Sequence, residues 1–393
     1  MFNIIVLGIA SFLTDVSTEM VYPLLPLYLI SVRIGATPAI VGLIEGIAES
    51  TASLLRVFSG AWSDRIQRRK PIAILGYASS TVGKFLLYVS TTWGLVLAGR
   101  LTDRLGKGIR TAPRDALIAD STDASVRGSA FGLHRALDSA GATLGVIIAY
   151  LLFVSNSKDF TSIFLLSLIP AALGVLALFF VRERRPRPDR SERPFVTLRA
   201  GSVRSAWWRN LGARWRALDR RLKLFLLIVF VFALGNSSNQ FLLLRASNLG
   251  FDNATVLLLY LVFNIVYAVA AWPLGRLSDR VGRKALLVIG YLMYGIVYIG
   301  FALASPAVLW GLFPTYGLYV AFTEGVEKAL VSDIAPTDLR ATLIGLHATF
   351  VGIGLLPASL LAGFLWSAFG APAPFYFGGG MGVLAALALW LLI

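Results

Sequence analysis

Acidic residues recur at helical spacing inside apolar segments of this sequence. Asp15 and Glu19 are four residues apart, and so are His134 and Asp138, so a helix would place each pair on one of its faces. An ionisable group in such surroundings is costly and marks a functional site by default. Removal from water and a neighbouring like charge both favour the protonated form of a carboxylate. We predict that Asp15, Glu19, Asp138 and His134 bind and release protons, with a structural role at the helix start as the alternative for His134.

A second group of polar residues would lie at a similar depth, because a helix rises about 1.5 Å per residue. Glu49 lies near the middle of one apolar segment, and Asp103 and Arg104 lie near the middle of another. The amides of Asn236 and Gln240, four residues apart, offer hydrogen bonds. The alternative is that the acids and bases neutralise one another permanently and only hold the helices together. The predicted lining of a substrate cavity is Tyr22, Glu49, Asp103, Arg104, Asn236 and Gln240.

Composition restricts the class of protein that carries these residues. Of the 393 residues, 57% are hydrophobic and 15% are charged, whereas a soluble domain has about 25% charged residues. The sequence has no cysteine and two histidines, which excludes disulfides, thiolate metal sites, cysteine nucleophiles and a histidine-rich metal centre. No glycine-rich ATP-binding loop of the Walker type is present, so direct drive by ATP is not expected. The composition predicts a polytopic membrane protein without a bound metal.

Apolar segments of about 20 residues are long enough to cross a bilayer as helices. The first begins at Phe2 and lacks a basic leader region, so we interpret it as the first span and not as a cleaved signal. The basic connections at 63–70, 182–221 and 276–284 predict that both chain termini are cytoplasmic. Twelve spans are predicted, at 3–31, 38–62, 71–90, 92–118, 127–154, 160–181, 222–247, 253–275, 284–304, 307–332, 339–366 and 371–393.

The long basic connection divides the chain into residues 1–181, 182–221 and 222–393. Much of the net charge of +15 lies in this connection, beside the membrane, so we do not expect a nucleic-acid partner. Apolar residues recur at helical spacing over 198–222, with arginines elsewhere around the helix. This pattern predicts an amphipathic helix on anionic lipid headgroups, and a flexible basic linker is the alternative.

Two motifs occur once in each half of the chain. Residues 60–69, Gly-Ala-Trp-Ser-Asp-Arg-Ile-Gln-Arg-Arg, align with residues 275–284, Gly-Arg-Leu-Ser-Asp-Arg-Val-Gly-Arg-Lys, and residues 127–134 align with residues 340–347. Such internal matches indicate a tandem repeat of six spans. Charged contacts of the first motif could form and break during gating. The alternative is that its basic residues only fix the side of the membrane on which the loop lies. The predicted gating residues are Asp64, Arg65, Arg68, Asp279, Arg280 and Arg283.

The repeated loop resembles the signature loop of the major facilitator superfamily. Residues 106–120 also resemble a bacterial branch described as multidrug- or tetracycline-resistance-like. The resemblance implies an all-α fold of twelve transmembrane helices in two pseudo-symmetric six-helix bundles, with a substrate site at mid-depth between them. Two positions depart from the pattern: Gln67 replaces a glycine of the loop, and Val146 replaces the proline that exporters often carry on the fifth span.

The resemblance implies a secondary active transporter and not an enzyme. We expect a monomer in the bacterial inner membrane that exports a small organic compound by antiport with protons and needs no cofactor. One alternative is uptake or exchange of an organic anion. A non-transporting sensor or a membrane-embedded enzyme belongs to other classes, but the sequence shows neither an output domain nor a recognisable nucleophile–base set. The anion alternative depends on a basic stripe formed by Arg100, Arg104, Lys107 and Arg114.

Overall fold

The computed structural model describes residues 2–66, 68–122, 127–155, 159–183, 219–334 and 340–393, which are nearly all helical and include no strand. In chain order the helices are α1 Phe2–Val21, α2 Leu25–Ile30, α3 Pro38–Ile66, α4 Arg69–Tyr88, α5 Trp93–Asp120, α6 Arg127–Ser155, α7 Phe160–Phe179, α8 Arg220–Gly235, α9 Gln240–Asn248, α10 Asn253–Val281, α11 Arg283–Leu303, α12 Pro306–Ile334, α13 Arg340–Phe369 and α14 Ala373–Leu392.

These helices form twelve spans, because α1 with α2 and α8 with α9 each make one crossing. The predicted all-α fold is confirmed. Nine of the described spans are long and apolar enough to cross a membrane. The fourth span, α5, is not among them, because charged residues recur along its length. Most of the predicted amphipathic helix at 198–222 lies outside the described residues.

The first span of each half is interrupted near its middle. After α1, a short 3-10 turn over Tyr22–Leu24 holds Pro23, and Pro26 follows at the start of α2; proline lacks the N–H that would continue the helical ladder. After α8, residues 236–239 are not helical. Their sequence is Asn-Ser-Ser-Asn, whose side chains compete with the helix for backbone hydrogen bonds. The sequence prediction of continuous spans at 3–31 and 222–247 did not include these breaks.

Several helices begin at a side chain that accepts hydrogen bonds from their first free amides. The carboxylate of Asp159 accepts from the amides of Thr161 and Ser162, both at 3.0 Å, at the start of α7. Asp159 lies in the connection before this helix. The hydroxyl of Ser162 is the main cause that holds the pKa of this carboxyl below its usual value, and the two amides act in the same direction.

The two halves contact each other where α3 packs against α13. A side chain added at Gly42 would meet the backbone carbonyl of Ser359, and one added at Gly363 would meet the backbone of Ala39. Glycine at these positions lets the two backbones approach closely, as is common between membrane helices.

The ends of the spans define two faces of the molecule. Asn3, at the start of α1, donates to the hydroxyl of Ser121 (2.9 Å) and the carbonyl of Arg182 (2.8 Å), which follow α5 and α7. Lys284, at the start of α11, reaches the carbonyl of Trp390 near the C-terminus. We call this side the terminal face. At the opposite face α2 packs against α9 across the halves.

Candidate functional site

A cavity of about 340 Å³ lies between the two halves, at the depth of the two helix breaks. The first half contributes Tyr22, at the first break, and Glu49 from α3. Residues 236–239 of the second break line it as well, and α12 contributes Tyr316, Tyr319 and Glu327 among others. Its volume falls within the roughly 300–1,000 Å³ that small-molecule sites occupy.

Three of the predicted cavity residues line this cavity: Tyr22, Glu49 and Asn236. Gln240 does not line it. Because the helix is broken after Gly235, Gln240 starts α9 and is not one helical turn beyond Asn236. Its side chain is fully buried, and neither amide atom has a hydrogen-bond partner in the part of the chain that is described.

Asp103 and Arg104 also lie outside the lining, in a buried ion network between α3, α4 and α5. At its centre, Arg100 Nε and Nη2 bind the two oxygens of Glu45 at 2.6 and 2.9 Å. Such bidentate pairs are the strong ones. Arg100 also lies 3.4 Å from Glu49 and 3.5 Å from Asp103.

Two further cations complete this network. Arg104 Nε lies 3.0 Å from Glu49 Oε1, and Lys84 Nζ lies 3.7 Å from Asp103 Oδ1. Three carboxylates therefore face three cations. This balance agrees with mutual neutralisation as the role of Asp103 and Arg104, while Glu49 takes part in the network and lines the cavity.

The predicted proton-binding residues have fewer partners. Asp15 is half-buried and forms no hydrogen bond or ion pair with any described residue, although it interacts electrostatically with Asp138. Asp138 Oδ2 lies 3.5 Å from His134 Nδ1 and 4.0 Å from Arg114, and its Oδ1 is buried without a partner in the described structure. Glu19 accepts a hydrogen bond of 3.2 Å from the hydroxyl of Tyr260 on α10. Glu19 thus joins the two halves.

A histidine–carboxylate pair in the second half was not part of the predicted site. His347 Nε2 lies 3.1 Å from Glu327 Oε2, and the hydroxyl of Tyr291 donates to Glu327 Oε1 at 2.9 Å. The ring of His347 stacks on Phe225. The sequence offered one signal, because His347 occupies the same position in its motif as His134 does in the first half. The sequence did not indicate that Glu327 lines the cavity.

The neighbouring acid on α12 joins the two halves. Glu324 contacts Arg135 of α6 at 3.1 Å and Lys328 at 3.8 Å, and it accepts from the hydroxyl of Tyr267. Glu324 also lines a second cavity, of about 260 Å³, together with Gly275, near the end of α10. Glu324 therefore lies between the central cavity and a second one toward the terminal face.

The repeated loops form similar ion pairs within each half. Arg69 lies 2.6 Å from Asp120 at the end of α5, and Arg283 lies 2.7 Å from Asp333 near the end of α12. Arg68 and Arg280 are exposed. The side chains of Asp64, Arg65 and Asp279 lie outside the described part of the structure, so their predicted gating contacts stay predictions.

Comparison with known proteins extends over the whole chain. The sequence profile of the Major Facilitator Superfamily matches residues 7–354 and 224–393. An uncharacterized MFS-type transporter of Methanocaldococcus jannaschii is 39% identical over 395 residues, which cover 98% of this chain and 94% of that protein.

Two solved structures share the fold. The nucleoside transporter NupG has a TM-score of 0.78 at 14% identity, over 99% of this chain and 98% of that one. A D-xylose-proton symporter has a TM-score of 0.77 at 19% identity, over 100% of this chain and 98% of that one.

Proposed function

The chain belongs to the Major Facilitator Superfamily, and from this membership we propose that it is a secondary active transporter that exports a small organic compound in exchange for protons. In such a transporter the two bundles rock around a site at mid-depth. The cavity between the halves is the proposed substrate site. Proton coupling is assigned to Asp15, Glu19 and Asp138, with His134 beside them.

The contact between Glu19 and Tyr260 is the observation that carries the proposal. An ionised Glu19 accepts a charge-assisted hydrogen bond from the other half, and such bonds contribute about 1.5–3 kcal/mol. Protonation of Glu19 removes the charge and weakens this bond. Because the bond crosses between the halves, proton binding would change the balance between their two arrangements.

The alternative of organic-anion transport receives less support. It requires the basic stripe of α5 to be free to bind an anion, but Arg100 and Arg104 are paired with carboxylates, and neither lines the cavity. An enzymatic function would need an arranged nucleophile and base, and we propose none.

The proposed setting is the cytoplasmic membrane of a bacterium, with the terminal face toward the cytoplasm. This orientation is supported by the basic connections 63–70, 182–221 and 276–284. We further propose that the protein acts as a monomer and that the stretch 198–222 binds anionic lipid headgroups. The proton gradient would drive transport, without a cofactor.

The test uses purified protein reconstituted into vesicles that contain a pH-sensitive dye. Small organic compounds are added one at a time, with and without an imposed pH gradient. A transporter of the proposed kind moves protons when its substrate is added, in the direction opposite to the substrate. The proposal fails if a compound is shown to cross through the protein, but its flux is the same with and without the gradient and its movement does not change the internal pH.

A further inference from the structure

The charged residues among those described in the lining of the central cavity are all acidic. Among the described residues that line it, three are glutamates, Glu49, Glu324 and Glu327, and none is lysine, arginine or histidine. A buried negative charge needs a partner, because an unpaired charge away from water is costly. The three carboxylates differ in whether a cation of the protein lies beside them.

Two of the three are matched within the protein. Glu49 lies 3.0 Å from Arg104, and Glu324 lies 3.1 Å from Arg135. Glu327 differs, because no lysine or arginine in the described structure forms an ion pair with it. Its neighbours are the phenol of Tyr291 and the imidazole of His347.

The imidazole of His347 is the basic group that lies beside Glu327. With the proton on Nε2, the ring donates to Glu327, and the other nitrogen, Nδ1, is a buried acceptor without a partner among the described residues. Among the described residues, Glu327 therefore lacks the guanidinium partner that Glu49 and Glu324 each have. Each of its oxygens keeps a lone pair beyond the one already used.

The wall beside Glu327 is aromatic. The rings of Phe232, Tyr316 and Tyr319 line the cavity, with Tyr316 and Tyr319 5.1 Å apart and Phe232 and Tyr319 6.2 Å apart. Ring faces attract cations, and they also pack well against an apolar body. A carboxylate and ring faces together suit a positively charged group on an apolar or aromatic molecule.

We propose that this cavity binds small organic cations, an amine or ammonium group on an aromatic or apolar body, with the positive charge at Glu327 and the body against Phe232, Tyr316 and Tyr319. The substrate class rests on the transporter function proposed above, but binding is measured separately from transport. Exchange of one such cation for one proton moves no net charge across the membrane.

The test compares three probes with the same body and different charge at pH 7: 3-phenylpropan-1-amine, 3-phenylpropan-1-ol and 3-phenylpropanoate. Binding to the purified protein in lipid nanodiscs is measured by calorimetry, with empty nanodiscs as the blank. The amine is expected to bind at least tenfold more tightly than the alcohol or the carboxylate. Equal binding of the three probes, tighter binding of the carboxylate, or no binding of the amine overturns the proposal.

A substitution then locates the charge. Glu327→Gln keeps the size of the side chain and one acceptor oxygen but removes the negative charge, so the preference for the amine over the alcohol should fall to less than threefold. Asp159→Asn is the matched control, because it removes a carboxylate outside the cavity and should retain the full preference. A Glu327→Gln protein that is folded and keeps the preference contradicts the assignment. The probe comparison on the unaltered protein decides the substrate class even if this variant does not fold.

Vesicle experiments separate this inference from the transporter proposal. If the amine binds at Glu327 but no compound moves with the pH gradient, the transporter proposal fails and the cation site stands. If a carboxylate or neutral compound moves with the gradient and the amine does not bind, the cation site fails and the transporter proposal stands.

Discussion

Arg135 Nη2 lies 3.1 Å from Glu324 Oε1, and this ion pair joins α6 of the first half to α12 of the second. Glu324 lines both the central cavity and the second cavity of about 260 Å³. The pair is therefore placed to hold the halves together between the central cavity and the terminal face. Both side chains are partly exposed, so their contribution is expected to be modest.

The first prediction concerns this pair. Glu324→Gln should increase exposure of the second cavity at the terminal face by no more than roughly fivefold, because exposed pairs contribute about 1 kcal/mol or less. A single cysteine at Ala271, which lines that cavity, reports exposure through its labelling rate in this cysteine-free chain. High salt should raise the rate in the original protein and leave the variant unchanged, because salt screens exposed charges. The same salt response in both proteins would remove the pair from any role in closure.

The second prediction separates proton coupling from substrate movement. Asp15→Asn should abolish transport driven by a pH gradient and spare part of the substrate exchange, because exchange moves no net protons. Glu19→Gln should have a similar or milder effect, and Asp138→Asn should shift the pH optimum. Driven flux and exchange are measured in the same vesicle preparation. Wild-type rates and pH profile in the Asp15→Asn protein would show that Asp15 does not carry the proton.

The third prediction concerns stability. Glu45→Gln should destabilise the protein by about 3–5 kcal/mol, because it leaves the guanidinium of Arg100 buried without its main counter-charge. Asp120→Asn, at the more exposed pair with Arg69, should cost less than about 1 kcal/mol. The midpoint of unfolding in detergent measures both. Similar midpoints for the two variants would mean that the buried network does not stabilise the bundle.

The fourth prediction concerns the start of α7. Asp159→Ala should cost about 1 kcal/mol, a typical value for the loss of an N-cap, whereas Asp159→Asn keeps an acceptor and should cost less. Because the pKa of the Asp159 carboxyl is lowered on folding, its contribution is fully present above the usual pKa of 3.8 and is lost as the pH falls below it. The difference in unfolding midpoint between the original protein and Asp159→Ala should therefore narrow at acidic pH. A difference that stays constant down to about pH 2 would contradict this role.

The fifth prediction tests the orientation. Single cysteines at Ser191, in the long basic connection, and at Ser305, between α11 and α12, should react with a membrane-impermeant reagent from opposite sides, cytoplasmic and periplasmic respectively. Labelling of whole cells and of inverted vesicles gives the two sides. Reaction of both cysteines from the same side would contradict the predicted topology.

The twelve spans and the acidic residues on them could be predicted from the sequence, because apolar length and rare charges are local signals. The break after Gly235 could not be placed, since residues 236–239 are compatible with either a helix or a turn and packing decides between them. Gln240 was misplaced for that reason. The place of Glu327 on the cavity wall could not be predicted either, because it depends on how α12 and α13 pack, which the sequence does not specify.

The contact between α3 and α13 has a mechanical consequence. Because Gly42 and Gly363 carry no side chains, the backbones of the two helices contact each other directly at these positions. At these two positions, one helix can rotate against the other without displacing a side chain. We expect bulky residues at these two positions to slow the rocking of the bundles, and with it turnover, without altering which molecule is carried.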